Sequence, residues 1–141
     1  RAGLLADSYV IEGDLYLANP AIITPMQTRT NYIAFPVEST DDWCFDTDAA
    51  GKITHIDTAS DHPCHQMLGL SYWTAEDGAR LAACANALYA EEQYRQLYWD
   101  EIMLKYHLHE CDVYIRECTR EDVWEIDTVE ELRALEKRIK E

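Results

Sequence analysis

The stretch YVIEGDLYL, residues 9–17, has the composition of a β-strand, with aromatic and branched residues inside and turn-formers outside. Two of its residues do not suit a strand interior. Glycine weakens a strand, and a buried carboxylate needs a partner. Asp14 is therefore expected either at an exposed edge or bulge, or beside a ligand at the end of its strand. VWEIDTVEEL, residues 123–132, repeats the pattern near the other end of the chain. There Asp127 ends a strand and directly precedes a capped helix, so it is either a second cap beside Thr128 or a ligand-binding acid. Glu125 lies two residues earlier and faces the same side of that strand.

Between these stretches the chain alternates. TNYIAFPVES (30–39) reads as a strand with Tyr32, Ala34 and Pro36 opposite Ile33, Phe35 and Val37. Residues 41–60 read as a hairpin with arms 43–46 and 52–57, turning through TDAAGK with Gly51 at positive φ. MLGLSYW (67–73) is a short apolar strand. Thr74 caps a helix with Leu81, Cys84, Ala85 and Leu88 inward. A second helix is expected over 91–105, with Tyr94, Leu97, Tyr98, Ile102 and Met103 inward. CDVYIREC (111–118) and VWEID (123–127) are strands. TVEELRALEKRIKE (128–141) is a helix with a Thr128/Glu131 capping box and an apolar face of Val129, Leu132, Leu135 and Ile139. Mixed strands and helices make the class α/β or α+β, with α/β the expectation, and 141 residues suit one domain.

The net charge is -15. That argues against nucleic-acid backbones as partners, since phosphate contacts need Lys and Arg. A solvated acidic surface or handling of cations fits better. No apolar run approaches the ~20 residues of a membrane span. The five cysteines form no CxxC pair and fit reduced thiols of a cytoplasmic protein. HPCH (62–65) and HLHEC (107–111) bring His and Cys together. His62, Cys64, His107 and Cys111 would be the ligands if the chain were a zinc-stabilised interaction domain.

LSYWTAEDG and QLYWDEI place Tyr-Trp pairs beside acids. With Trp43 of DDW, five large rings flank carboxylates: Trp43, Tyr72, Trp73, Tyr98 and Trp99. Rings plus a carboxylate suit a quaternary ammonium, which offers no N–H and is held by ring quadrupoles and Coulomb attraction. Burial as ordinary core aromatics is the alternative.

YVIEGDLYLANP, DDW with DAAGKI, LGLSYWTAEDGARL, LYWDEI and WEIDTVEEL, in that order, resemble bacterial CTP:phosphocholine cytidylyltransferases of the GT-A-like nucleotidyltransferase superfamily. The resemblance covers nearly the whole chain. It implies a partial GT-A-like mixed sheet flanked by helices, with a β-hairpin insertion. It also implies transfer of CMP from CTP to phosphocholine with Mg²⁺. By the same resemblance Asp14, Glu125 and Asp127 are the metal ligands, Asp14 and Asp127 the catalytic acids, and Trp43 and Tyr98 the walls of the choline pocket. Asp100 is our own addition, as counter-charge to the ammonium. Tyr72, Trp73 and Trp99 are expected to be structural. The family's Gly-rich nucleotide loop has no match here, so residues 1–141 are expected to be the acceptor and metal-binding portion without the nucleotide-binding portion. The start at Arg1 agrees with a fragment. Exposed sheet edges would then favour a homodimer. Sugar-1-phosphate, phosphoethanolamine or an aminophosphonate are alternative acceptors, and a non-catalytic choline-binding or interaction module is the alternative of another class.

Overall fold

One long strand organises the molecule, a computed structural model that describes residues 7–25 and 27–140. It is β6, Cys64–Trp73, and it extends the predicted MLGLSYW strand back through Gln66 to Cys64 and His65, the second half of HPCH. Along one edge β6 pairs antiparallel with β3, Asn31–Val37. Its other edge is shared by two strands. β1, Ser8–Ile11, pairs with Leu70–Trp73, and β4, Cys44–Thr47, pairs with His65 and Gln66. β5, Ile53–Asp57, continues the sheet as the second arm of the hairpin, and β7, Tyr114–Glu117, adds a strand parallel to β3. The order is β5-β4-β6-β3-β7, with β1 paired to β6 outside that row. Apart from β3/β7 every pairing is antiparallel. Gly51 turns the hairpin at φ +77°, as its sequence requires.

The predicted continuous strand over 9–17 is two strands. β2, Leu15–Leu17, leaves the main sheet and pairs with β8, Val123–Glu125, in a separate two-stranded ribbon. Residues 12–14 are the crossing between the sheets. Gly13 does not have positive φ, and open space surrounds the position of a Cβ, so the crossing does not depend on glycine.

The period-two pattern of β3 divides the core. Tyr32 and Ala34 face one apolar cluster, which α1 (Ala75–Tyr89) covers; Ile33 and Phe35 face a second, shared with Leu68, Leu70 and Val123. Thr74 caps α1 by accepting the Asp77 N–H at 3.2 Å. Trp73 is fully buried and packs edge-on against Tyr32 and Trp99. Tyr72 packs edge-on against Tyr9. Three of the five rings named above thus belong to the core or its margin.

The helix expected over 91–105 is broken. A 3₁₀ turn, Glu92–Tyr94, is followed by α2, Trp99–Glu101, which runs into a π turn, Ile102–Tyr106. Tyr98 is extended, and the Glu101 carboxylate accepts its N–H at 3.0 Å. Ile102 and Met103 are fully buried, as expected, but Tyr98 is 68% exposed. The last helix, α3 (Val129–Lys140), is capped as predicted: Glu131 N–H donates to Thr128 Oγ1, and Thr128 N–H donates to the Glu131 carboxylate. Its apolar face is mostly open, with Leu135 buried and Val129, Leu132 and Ile139 exposed.

Candidate active site

The shared edge of β6 creates a cavity. β1 ends where Glu12 N–H donates to Gly69 O at 2.8 Å, and β4 begins where Trp43 O accepts from Met67 N–H at 2.8 Å. The two strand ends face each other along β6, and a cavity of about 440 Å³ opens there. Its wall holds Glu12, Asp14 and Glu125 together with Trp43, Tyr98 and Asp100. Five of the six predicted site residues therefore line one space.

At the acidic end, carboxylate oxygens of Glu12, Asp14 and Glu125 lie within 4.8 Å of one another. Such a convergence of hard oxygens suits Mg²⁺. Asp127 is not one of these three. It lies just beyond β8, where its backbone N–H donates to the Glu131 carboxylate at 2.9 Å. Its charge still reaches the cluster. Burial, then Asp127, then Asp42, Asp14 and Glu12 push the Glu125 carboxyl up to about 7. Glu12 was not singled out from sequence. Its signal was the EGD triplet, two acids bracketing a residue at a strand end, but a strand running through to Leu17 would have put Glu12 and Asp14 simply on one face. The Glu12 carboxyl is raised by burial, then by Asp100 and Asp14.

Gly69 makes room for Glu12. A Cβ on Gly69 would lie 2.1 Å from the Glu12 carboxylate oxygen and 2.6 Å from its Cγ. The Glu12 side chain occupies the space that any other residue at 69 would fill.

At the other end, Trp43 and Tyr98 supply two ring surfaces, with Ile56 and Met67 as apolar neighbours. Asp100 is 6% exposed, and its Oδ1 accepts the Glu101 N–H at 3.0 Å. Burial raises its carboxyl pKa. A cation in the cavity would lower it again and return the interaction energy as binding.

The four residues of the zinc reading do not assemble. His62 Nε2 lies 3.0 Å from the Asp46 carboxylate, and its Nδ1 contacts Ser60. Cys111 belongs to the α1-side core, and all five cysteines are free.

A mixed sheet carrying this cavity at its strand ends has the fold of a cytidylyltransferase, a class of nucleotidyltransferase. The structure matches the CTP:phosphocholine cytidylyltransferase from Streptococcus pneumoniae with TM-score 0.82 and 28% identity, over 96% of this chain and 58% of that one. The chain is a homologue of bacterial cytidylyltransferases along almost all of its own length. It is 33% identical over 92% of its length to 2-aminoethylphosphonate cytidylyltransferase of Lancefieldella rimae, covering 52% of that protein. It is 30% identical over 96% of its length to choline-phosphate cytidylyltransferase of Streptococcus pneumoniae, covering 58%. The chain thus spans about half the length of the curated relatives it matches. HddC from Yersinia pseudotuberculosis shares the fold at TM-score 0.56 and 13% identity, over 94% of this chain and 56% of that one. No protein-family model matches the sequence. Among the described residues, no helix is long and apolar enough to cross a membrane.

Proposed function

We propose that this chain carries the acceptor and divalent-metal site of a cytidylyltransferase that moves CMP from CTP to phosphocholine, giving CDP-choline and pyrophosphate. One observation carries the reading: a single cavity joins the three converging carboxylates to the Trp43, Tyr98 and Asp100 wall. The trimethylammonium head lies against the Trp43 and Tyr98 rings, where each good contact contributes about 0.5–2 kcal/mol. Asp100, held off water, supplies the opposing charge. The phosphate then points toward Glu12, Asp14 and Glu125. These acids would repel it alone, which is the chemical reason for a Mg²⁺ ion between them. Glu12, Asp14 and Glu125 would hold such an ion, which would supply neutralisation of the phosphate charge. An acceptor phosphate oxygen attacks the α-phosphorus of CTP, and the bond to pyrophosphate breaks. An acceptor phosphate dianion has no proton to lose, so these residues position and neutralise and need not act as a base. Asp127 adds negative field just outside the cluster.

A second reading keeps the reaction and changes the acceptor to a primary amine such as 2-aminoethylphosphonate. The observation favouring it is the acid content of the wall: Glu12, Asp42 and Asp100 offer oxygens that N–H groups can use and methyl groups cannot.

Intrinsic tryptophan fluorescence, titrated with phosphocholine, phosphoethanolamine and 2-aminoethylphosphonate in Mg²⁺, tests the assignment. Saturable quenching that prefers phosphocholine and disappears in Trp43→Ala is expected. Preference for the primary amines would select the second reading. No response to any of the three would remove the acceptor site from this cavity.

A further inference from the structure

Away from the cavity, KYHLHECD (105–112) closes the π turn and leads to β7. Its backbone is a 3₁₀ turn, Leu108–Glu110, held by the Glu110 N–H donating to His107 O at 2.8 Å. This turn places one ligand atom each of His107, His109 and Glu110 within 4.8 Å of one another. Among the described residues that is the second such convergence, and it contains two imidazoles where the first contains none. The two rings are 6.1 Å apart and tilted by 31°. His109 Nε2 is 3.4 Å from a Glu110 oxygen. His107 Nδ1 is buried and has no hydrogen-bond partner. No protein hydrogen bond competes for that nitrogen, and the ring offers a ligand atom to the convergence.

We infer that His107, His109 and Glu110 form a binding site for a borderline divalent transition ion of the zinc class, separate from the acidic cluster in the cavity. Imidazole nitrogens select such ions over Mg²⁺. Two imidazoles and one carboxylate give three protein ligands and leave the fourth tetrahedral position to water. The side chains of His109 and Glu110 are 76% and 48% exposed, so an ion enters without dehydrating a closed core. The chain's charge of -15 raises the local cation concentration. His107 follows directly on the π turn that continues from Asp100 and Glu101. An ion here would clip the base of the segment that presents Tyr98 and Asp100 to the cavity. The inference does not depend on which acceptor the cavity takes.

Isothermal titration of zinc chloride into the chain carrying Asp14→Asn, which weakens the competing acidic cluster, tests it. One equivalent is expected to bind, with excess Mg²⁺ failing to displace it. His109→Ala on the same background, at an exposed position where circular dichroism will report an unchanged fold, is expected to weaken binding about ten-fold or more. Glu110→Gln is expected to weaken it less but measurably. No zinc binding, binding unchanged by His109→Ala, or displacement by Mg²⁺ would each overturn the site and leave an exposed His109–Glu110 ion pair.

Discussion

Glu12 and Gly69 are the residues that most separate this cavity from a simple acidic pocket. Gly69 lets the Glu12 carboxylate lie across β6, so Gly69→Ala should push it out of the cluster. The side chain can swing aside cheaply, and thermal unfolding should change by no more than about 1 kcal/mol. Mn²⁺ affinity, read by electron paramagnetic resonance, should fall about ten-fold, and adding Glu12→Ala to Gly69→Ala should cost little more. Two independent losses would show that Gly69 acts in some other way. Glu125 gives a pH signature. Its folded-state pKa is raised from 4.5 to about 7, so between those values the folded protein holds a proton that the unfolded chain has released. This group's contribution to metal-free stability therefore falls as pH rises through that window. At pH 8 the Glu125→Gln variant should be more stable than the parent by about 1 kcal/mol, allowing for solvent screening. Mg²⁺ should narrow the gap by stabilising the parent. Equal denaturant midpoints at pH 8 without metal would contradict this. That Asp14, Glu125, Trp43 and Tyr98 share one cavity was legible through the family resemblance, and Asp100 through its place beside the rings; residue pattern alone left edge acids and core aromatics open, and Tyr72, Trp73 and Trp99 took that ordinary course. Glu12 was hidden because its role depends on an absence, the missing side chain of a glycine 57 positions away in the chain.

The elements show where local pattern misleads. Residues 91–105 are rich in helix formers, yet Tyr98 and Asp100 both face the cavity. A continuous α-helix turns positions i and i+2 about 200° apart, so it could not present both to one space. The extended Tyr98, held by the buried Glu101 carboxylate, solves this by restarting the chain direction. Glu101→Gln should preserve most of the fold and weaken phosphocholine binding, because Tyr98 loses a charge-assisted bond; unchanged affinity would show that Tyr98 is held otherwise. The break in 9–17 has a different cause. Period and composition do not reveal which partner a strand pairs with, and here β1 and β2 pair with strands of two different sheets. In α3 the capping box was read correctly, and Thr128→Ala should cost about 1 kcal/mol in thermal melts. The helix's apolar stripe indicated burial, yet only Leu135 is covered. Amphipathic spacing says which face is apolar, and nothing about whether a partner is there.

For the molecule as a whole, the central feature is β6 and its shared edge. The α/β class, the hairpin and the alternating faces of β3 were readable from periodicity and turn chemistry. That β1 and β4 meet end to end on one strand was not, since it is fixed by non-local pairing. This meeting brings the EGD acids against the DDW tryptophan, and with Tyr98, Asp100 and Glu125 it makes one site out of segments far apart in sequence. The account requires that one cavity hold the metal at its acidic end and the acceptor's cationic head at its ring end. Paramagnetic relaxation of the phosphorus nucleus of phosphocholine by Mn²⁺ bound to the chain tests this directly. Strong relaxation in the parent is predicted, lost in Asp14→Asn because the metal is lost and in Trp43→Ala because the ligand is lost. Phosphocholine that binds without relaxation by bound Mn²⁺, or relaxation that survives both substitutions, would contradict the account.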